Sequence, residues 1–480
     1  MSGIDVPFGD MPPEEFGRHA AEVVEWIEGY LRDVGEYPTL SPARPGDLSA
    51  QLAAEGPDQG EGFDAILADF RDQVLPGITH WNHPAFHGYF ANSASGPGIL
   101  GEMLTAALNV NAMVWRSSPA ATELEERTLD WLRQWLGLPD AFPGTINDTA
   151  SHSTLYALAA ARASAMPRVA EEGLAGGPQG CIYTSAESHS SVDKAALTLG
   201  LGRRGIRRIP VDDQFRMRPD ALREAIQTDL EAGRCPIAIV ATLGTTSTTA
   251  IDPVAEIAQI AREFGVWLHV DAAYGGPLAL IADYADQFSG WEHADSIVVN
   301  PHKWLFTPMD CSILYCRRPD QLRAAFSLVP EYLKTGEGDG VTNLMDYGVA
   351  LGRRFRSLKL WFVLRYFGRD GIRARLEHHV ALAREWQSWV EAEPEWEMAA
   401  PNVMATPIYR FAPAGVALAD ANALNLAIME AVNRSGVAFL SHTAVDGRIA
   451  LRTSIGNIRT QREHLERTWQ QLREQAALLR

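Results

Sequence analysis

Val266-Trp267-Leu268-His269-Val270-Asp271-Ala272-Ala273-Tyr274 and Ser296-Ile297-Val298-Val299-Asn300-Pro301-His302-Lys303 are the two stretches that decide the fold of this chain. Each opens on a short apolar run of strand length, which is how a parallel strand covered on both faces reads. Asp271 ends the first run, and Lys303 follows the second. Both groups are thus placed at the carboxyl ends of strands, the edge of an open α/β sheet where ligands bind. Alone, a lysine is ordinarily a solvated surface charge and an aspartate after a strand ordinarily caps a helix. Together at one sheet edge they describe a site.

Working outward, similar strands are expected at Cys181 to Thr184, Ile206 to Val211, Ile237 to Thr242 and Ser312 to Cys316, with helical patterns between them. One such helix follows Asp252-Pro253-Val254-Ala255-Glu256-Ile257, with Asp252 as cap, Pro253 in the first turn and Gly265 just past the end. Strands alternating with helices imply a largely parallel sheet, and hence an α/β domain over residues 86–375. Before it, residues 1–85 form a helical arm. Pro12-Pro13-Glu14-Glu15 opens a helix on which Phe16, Val23, Val24, Ile27, Tyr30 and Leu31 share one face, and the turn-rich stretch from Tyr37 to Pro45 leaves that face without a core of its own. After residue 375 the chain is helical, then mixed, and closes on a charged helix from about Gln461; residues 376–480 read as a small C-terminal α/β domain.

At 480 residues, two or three lobes are the natural expectation. A net charge of -18, with 46% hydrophobic and 21% charged residues, belongs to an ordinary globular chain and opposes binding to nucleic acid or to anionic membrane surfaces. The start lacks the basic and apolar regions of a signal peptide, and no apolar run is long enough to span a bilayer, so a cytoplasmic location is expected. Cys181, Cys235, Cys311 and Cys316 include no Cys-x-x-Cys pair, and they read as reduced, mostly buried thiols. No metal site is expected.

A lysine able to form a Schiff base and an aspartate able to pair with a pyridinium nitrogen are what pyridoxal phosphate requires. With Ala241-Thr242-Leu243-Gly244-Thr245-Thr246 ahead of them and Leu351-Gly352-Arg353-Arg354-Phe355-Arg356-Ser357-Leu358-Lys359 behind, the two stretches occur in an order that resembles the group II pyridoxal-phosphate amino-acid decarboxylases. The resemblance is closest to the aromatic-L-amino-acid decarboxylases and runs from about Pro12 to the C-terminus. It implies the fold-type I architecture: a large mixed, mainly parallel sheet domain, an N-terminal helical arm packed across a dimer partner and a small C-terminal domain.

The resemblance also implies roles. Lys303 would carry the cofactor, Asp271 would keep its ring nitrogen protonated, and Ala273 would lie beneath the ring. Ala150 and Ser151, at the start of a helical run, would bind the phosphate with Asn300 and His302; where the family has a glutamate soon after that serine, this chain has His152. His189, in a stretch similar to the family's Ala-His-Ser-Ser-Val, would stack on the ring and address the substrate carboxylate, with Thr246 as its neighbour. Tyr332, in a glycine-rich loop, would deliver the proton to the α-carbon, and lineages with phenylalanine there tend toward aldehyde formation. A tyrosine points to an amine product.

For the substrate, Trp81, Tyr89 and Phe90 match aromatic pocket positions, and such a wall favours a planar side chain. Ala91 and Asn92 replace a usual Pro-Thr pair, and Asn111 and Met113 replace an apolar residue and a phenylalanine, which makes the pocket roomier and more polar. Gly352 matches the tryptophan-selective members, whereas histidine and plant tyrosine decarboxylases tend to carry serine. The expected function is decarboxylation of an aromatic L-amino acid by a homodimer. An aromatic aldehyde synthase or an aliphatic amino-acid decarboxylase on the same fold is the alternative, and a non-catalytic interaction protein a remote one.

Overall fold

In the computed structural model, which describes residues 10–328 and 340–480, the apolar runs become the centre of a seven-stranded sheet. Its strands are β1 (Gly144–Asn147), β2 (Gly180–Ser185), β3 (Ile206–Ile209), β4 (Cys235–Thr242), β5 (Trp267–Asp271), β6 (Ser296–Val299) and β7 (Ser312–Cys316), in the order β1-β7-β6-β5-β4-β2-β3. From β3 through β6 the pairing is parallel, and β7 and β1 close the far edge antiparallel. Successive side chains of a strand point to opposite faces, so each central strand feeds two cores. Ala238 and Val240 of β4 join helix Ala150–Ala165 on one face, while Ile239 and Ala241 join helix Val254–Phe264 on the other. A fully buried side chain such as Ile239 or Val240 contributes about 1.5–3 kcal/mol relative to exposure. The register sets Thr242 opposite Asp271, which aligns the carboxyl ends of β4 and β5.

Three local expectations change. The strand expected over Ile206 to Val211 stops at Ile209, because Pro210 has no N–H to give the ladder; Val211 makes only an isolated bridge to Met217. Strand β1 was not foreseen, being four residues long and half polar. Asp252 does not cap its helix. Its Oδ1 accepts the N–H of Met217 and its Oδ2 that of Thr242, both at 2.7 Å, and Pro253 takes the cap position without a side-chain cap bond. Two buried N–H groups, that of Thr242 at the end of β4 and that of Met217 from the segment after β3, demand an acceptor more strongly than a solvated helix start does, and burial pushes the Asp252 carboxyl up to about 7. Gly265 ends that helix at φ 66°, in the left-handed region that suits glycine.

The C-terminal lobe is a four-stranded antiparallel sheet of β8 (Trp396–Met398), β9 (Ile408–Phe411), β10 (Ser441–Val445) and β11 (Arg448–Arg452), in the order β10-β11-β9-β8. Helix Arg462–Leu479 begins at a capping box of Gln461 and His464. The boundary drawn at residue 375 falls inside the helical stretch Ser357–Ala392, whose backbone breaks at Gly368. In the arm, helix Pro13–Asp33 sets Trp26 edge-on to Phe70 and bonds the Tyr30 hydroxyl to His80 Nδ1 at 3.0 Å. Phe16 and Val24 remain 61% and 45% exposed, so the single chain leaves much of that apolar face open. Among the described residues, no helix is long and apolar enough to cross a membrane.

Candidate active site

Lys303 lies in the short helical turn Pro301–Trp304 directly after β6, where Pro301 occupies a first-turn position that needs no N–H. Burial holds its ammonium below the ordinary lysine range, and the Asp271 carboxylate opposes that shift. The Nζ atom stands 5.1 Å from the centroid of the Phe90 ring. An amine made easier to deprotonate by its surroundings is what a carbonyl-attacking lysine needs. Asp271, buried at the end of β5, accepts the N–H of Ala273 at 3.1 Å through Oδ1.

His189 stands just before helix Ser191–Thr198, and its Nδ1 accepts the N–H of Ser191 at 3.1 Å, which leaves the proton of the neutral ring on Nε2. Burial lowers its basicity; Asp271 works against that and Lys303 with it. His302 is held in a similar way, with Nδ1 accepting the N–H of Cys311 at 3.0 Å and burial pushing the ring down to about 3. Both imidazoles are therefore neutral donors at physiological pH.

A cavity of about 330 Å³ gathers Lys303, Asp271, Ala273, Asn300, His302, His189, Thr246, Ala150 and Ser151 with Trp81, Tyr89, Phe90 and Asn92. Asn111, Met113 and Gly352 are not part of it. Asn111 Oδ1 accepts the N–H of Arg353 and its amide faces Met113 Sδ, while Gly352 borders a separate cavity of about 400 Å³ with Asp148, His152 and Arg356. Tyr332 lies outside the described residues.

Several lining residues were missed in the sequence. Tyr274 was quoted for its place in the motif, yet its ring stacks on Phe90 at 3.9 Å and so builds the wall. Thr242 ends a strand and belongs to the Ala241 to Thr246 stretch, neither of which marks it as a lining residue. Arg452 had no local signal at all: at the end of β11, it donates to the carbonyls of Thr246 and Ser247 and to Ser441 Oγ, and lies 5.3 Å from the Phe90 centroid.

Pyridoxal phosphate fits these residues. Asn300 Oδ1 and Thr242 Oγ1 are buried at the cavity without a hydrogen-bond partner in the protein, a costly arrangement that a polar ligand relieves. Helix Ala150–Ala165 opens at the cavity with no side-chain cap, so its first N–H groups and its dipole favour an anion such as a phosphate. Asp271 offers a carboxylate to a ring nitrogen and Lys303 an amine to an aldehyde.

The chain matches the family model for the pyridoxal-dependent decarboxylase conserved domain over residues 45–411. It is 38% identical to a phenylacetaldehyde synthase of Arabidopsis thaliana over 98% of this chain and 97% of that one. It is 36% identical to an aromatic-L-amino-acid decarboxylase of Catharanthus roseus over 96% of this chain and 94% of the other. Among solved structures, it resembles the Oryza sativa TDC with PLP and tryptamine, with a TM-score of 0.95, 34% identity, and 98% and 99% of the two chains covered.

Proposed function

The chain belongs to the pyridoxal-dependent decarboxylase family, and on that premise we propose that it converts an aromatic L-amino acid to its amine and carbon dioxide. Pyridoxal phosphate is the cofactor. When bound, it supplies the electron sink that lets the α-carboxyl group leave. The single observation that carries the reading is the meeting of Lys303 and Asp271 with the aromatic wall of Trp81, Tyr89 and Phe90 in one cavity.

The protein's own groups then divide the work. Lys303 anchors the cofactor aldehyde, and Asp271 holds the proton on its ring nitrogen. Ala150, Ser151, Asn300 and His302 take the phosphate. His189 offers its Nε2–H to the substrate carboxylate, while the aromatic wall receives the side chain and excludes water from it. Tyr332 delivers the proton that completes the amine. Asn111, Met113 and Gly352, away from this chain's own cavity, complete the cavity of a second copy. The apolar face of helix Gly96–Leu108 supports such a homodimer, because Leu100, Leu104 and Leu108 stand exposed on it without a partner.

Steady-state comparison of tryptophan, 5-hydroxytryptophan, dopa, tyrosine, phenylalanine, histidine, valine and glutamate tests the substrate. Aromatic acids are expected to lead valine and glutamate in kcat/KM by about tenfold or more. Among themselves they should differ by no more than about 10–200-fold, the range that a methylene-sized contact of about 1–3 kcal/mol gives. A higher kcat/KM for glutamate or valine than for every aromatic acid overturns the pocket reading.

The likeness to a phenylacetaldehyde synthase supports a second outcome, aldehyde in place of amine. Tyr332 separates the two. The parent protein is expected to release amine, and Tyr332→Phe to keep releasing carbon dioxide while, with molecular oxygen as oxidant and one water consumed, its product shifts toward aldehyde, ammonia and hydrogen peroxide. An unchanged amine yield in that variant assigns the proton to another group, with His189 and Lys303 the nearest candidates.

A further inference from the structure

Trp304 follows Lys303 directly and is buried. Its ring stacks on Tyr274 at 4.7 Å with 3° between the planes, and Tyr274 stacks in turn on Phe90. A buried indole N–H requires an acceptor. Trp304 Nε1 finds it in Nδ1 of His379, 2.9 Å away on the long helix Ser357–Ala392. Because Nδ1 accepts, the proton of the neutral imidazole is on Nε2, the side that faces the backbone carbonyl of Asn457. Burial pushes this imidazole down to about 3, so the tautomer persists at any working pH.

The connection does not stop there. Asn457 is itself fully buried, and its Nδ2 donates to the carbonyls of Trp81 at 3.1 Å and His83 at 3.0 Å, while its Oδ1 accepts the N–H of Arg459. One end of this chain of bonds is the turn that carries Lys303. The other is the backbone of Trp81, the wall of the same cavity. Among the described residues the indoles of Trp304 and Trp81 share no ring contact, so the two walls are tied through His379 and Asn457 and not through their rings.

We propose that His379 is a positioning residue that couples the Lys303 turn to the Trp81 wall, fixing the distance between the cofactor anchor and the bound aromatic side chain. The proposal rests on reading the cavity as the cofactor and aromatic-substrate site. A buried, fully bonded relay has one low-energy arrangement, and cutting it in the middle lets its two ends relax independently.

The test is a double-mutant cycle on holoenzyme, scored by kcat and KM for the best aromatic substrate. Trp304→Phe removes the indole donor and keeps a ring for Tyr274; Trp81→Phe alters the wall. With His379 present, their effects on kcat/KM should depart from additivity by about threefold or more. In a His379→Phe background the same pair should be additive. His379→Phe alone should raise KM and change the visible circular dichroism of the cofactor. His379→Asn, whose amide oxygen can still accept from Trp304, should recover part of both and serves as the second variant where phenylalanine does not fold.

Additive effects in the parent background overturn the coupling, as does a His379 variant that melts earlier with kcat, KM and dichroism unchanged. The site reading is scored separately by a borohydride-fixed pyridoxyl group on Lys303 of the parent protein. Its absence overturns both readings; its presence alongside additive effects overturns the coupling alone.

Discussion

Replacing Lys303 with alanine is expected to lower turnover by about 10⁴-fold, the scale seen when a covalent catalytic group is removed. The fold should persist. Lys303 stands at the cavity and makes no ion pair among the described residues, and its turn is held by Pro301, by the Lys303 N–H to the Asn300 carbonyl and by the buried ring of Trp304. Circular dichroism and thermal melting should match the parent, while the visible absorbance that depends on covalent attachment should be lost.

Borohydride reduction and peptide mapping make the assignment direct, because the chain's lysines are Lys194, Lys303, Lys334 and Lys359. Lys359 is sequestered: fully buried, its Nζ pairs with Glu102 at 2.9 Å. Lys194 lies on the surface of helix Ser191–Thr198. A pyridoxyl label on either of them, or turnover close to the parent in Lys303→Ala, sinks the anchor assignment.

The second large effect is expected at Asp271. In Asp271→Asn the side-chain oxygen can still accept the Ala273 N–H, so the end of β5 keeps its shape. What is lost is the negative charge that favours a protonated ring nitrogen. Turnover should fall by about 10²–10⁴-fold, as for removal of one electrostatic contribution to a transition state. Cofactor should remain bound through the phosphate contacts at the start of helix Ala150–Ala165 and through Lys303. Cofactor content near one per chain with turnover lost is the expected pairing, and turnover close to the parent shows that Asp271 does not serve the ring nitrogen.

These predictions draw on parts of the chain that differed in how far they could be read in advance. The stretches around Asp271 and Lys303 were legible because a buried parallel strand reads as a short, mostly apolar run, and the residues just past its last apolar position, Val270 and Val299 here, fall at the sheet edge. The same reasoning failed at Asp252. An acid before a proline at the start of a helical pattern looks like a cap, and only the approach of Met217 from another segment shows which N–H groups the carboxylate satisfies.

The sequence by itself determined the α/β class, the largely parallel sheet and the cofactor, and it singled out Asp271 and Lys303, because strand periodicity, turn chemistry and motif order are local properties. Only the tertiary structure decided what stands around that pair. Arg452 reaches the Thr246 turn from the C-terminal sheet, and His379 joins Trp304 to Asn457. Asn111, Met113 and Gly352, expected in the pocket, sit away from the cavity that holds Lys303. Each of these facts concerns how residues distant in the chain lie relative to one another. Which distant side chain satisfies a buried donor or completes a wall depends on how the packed elements lie against one another, a relation that no window of neighbouring residues contains.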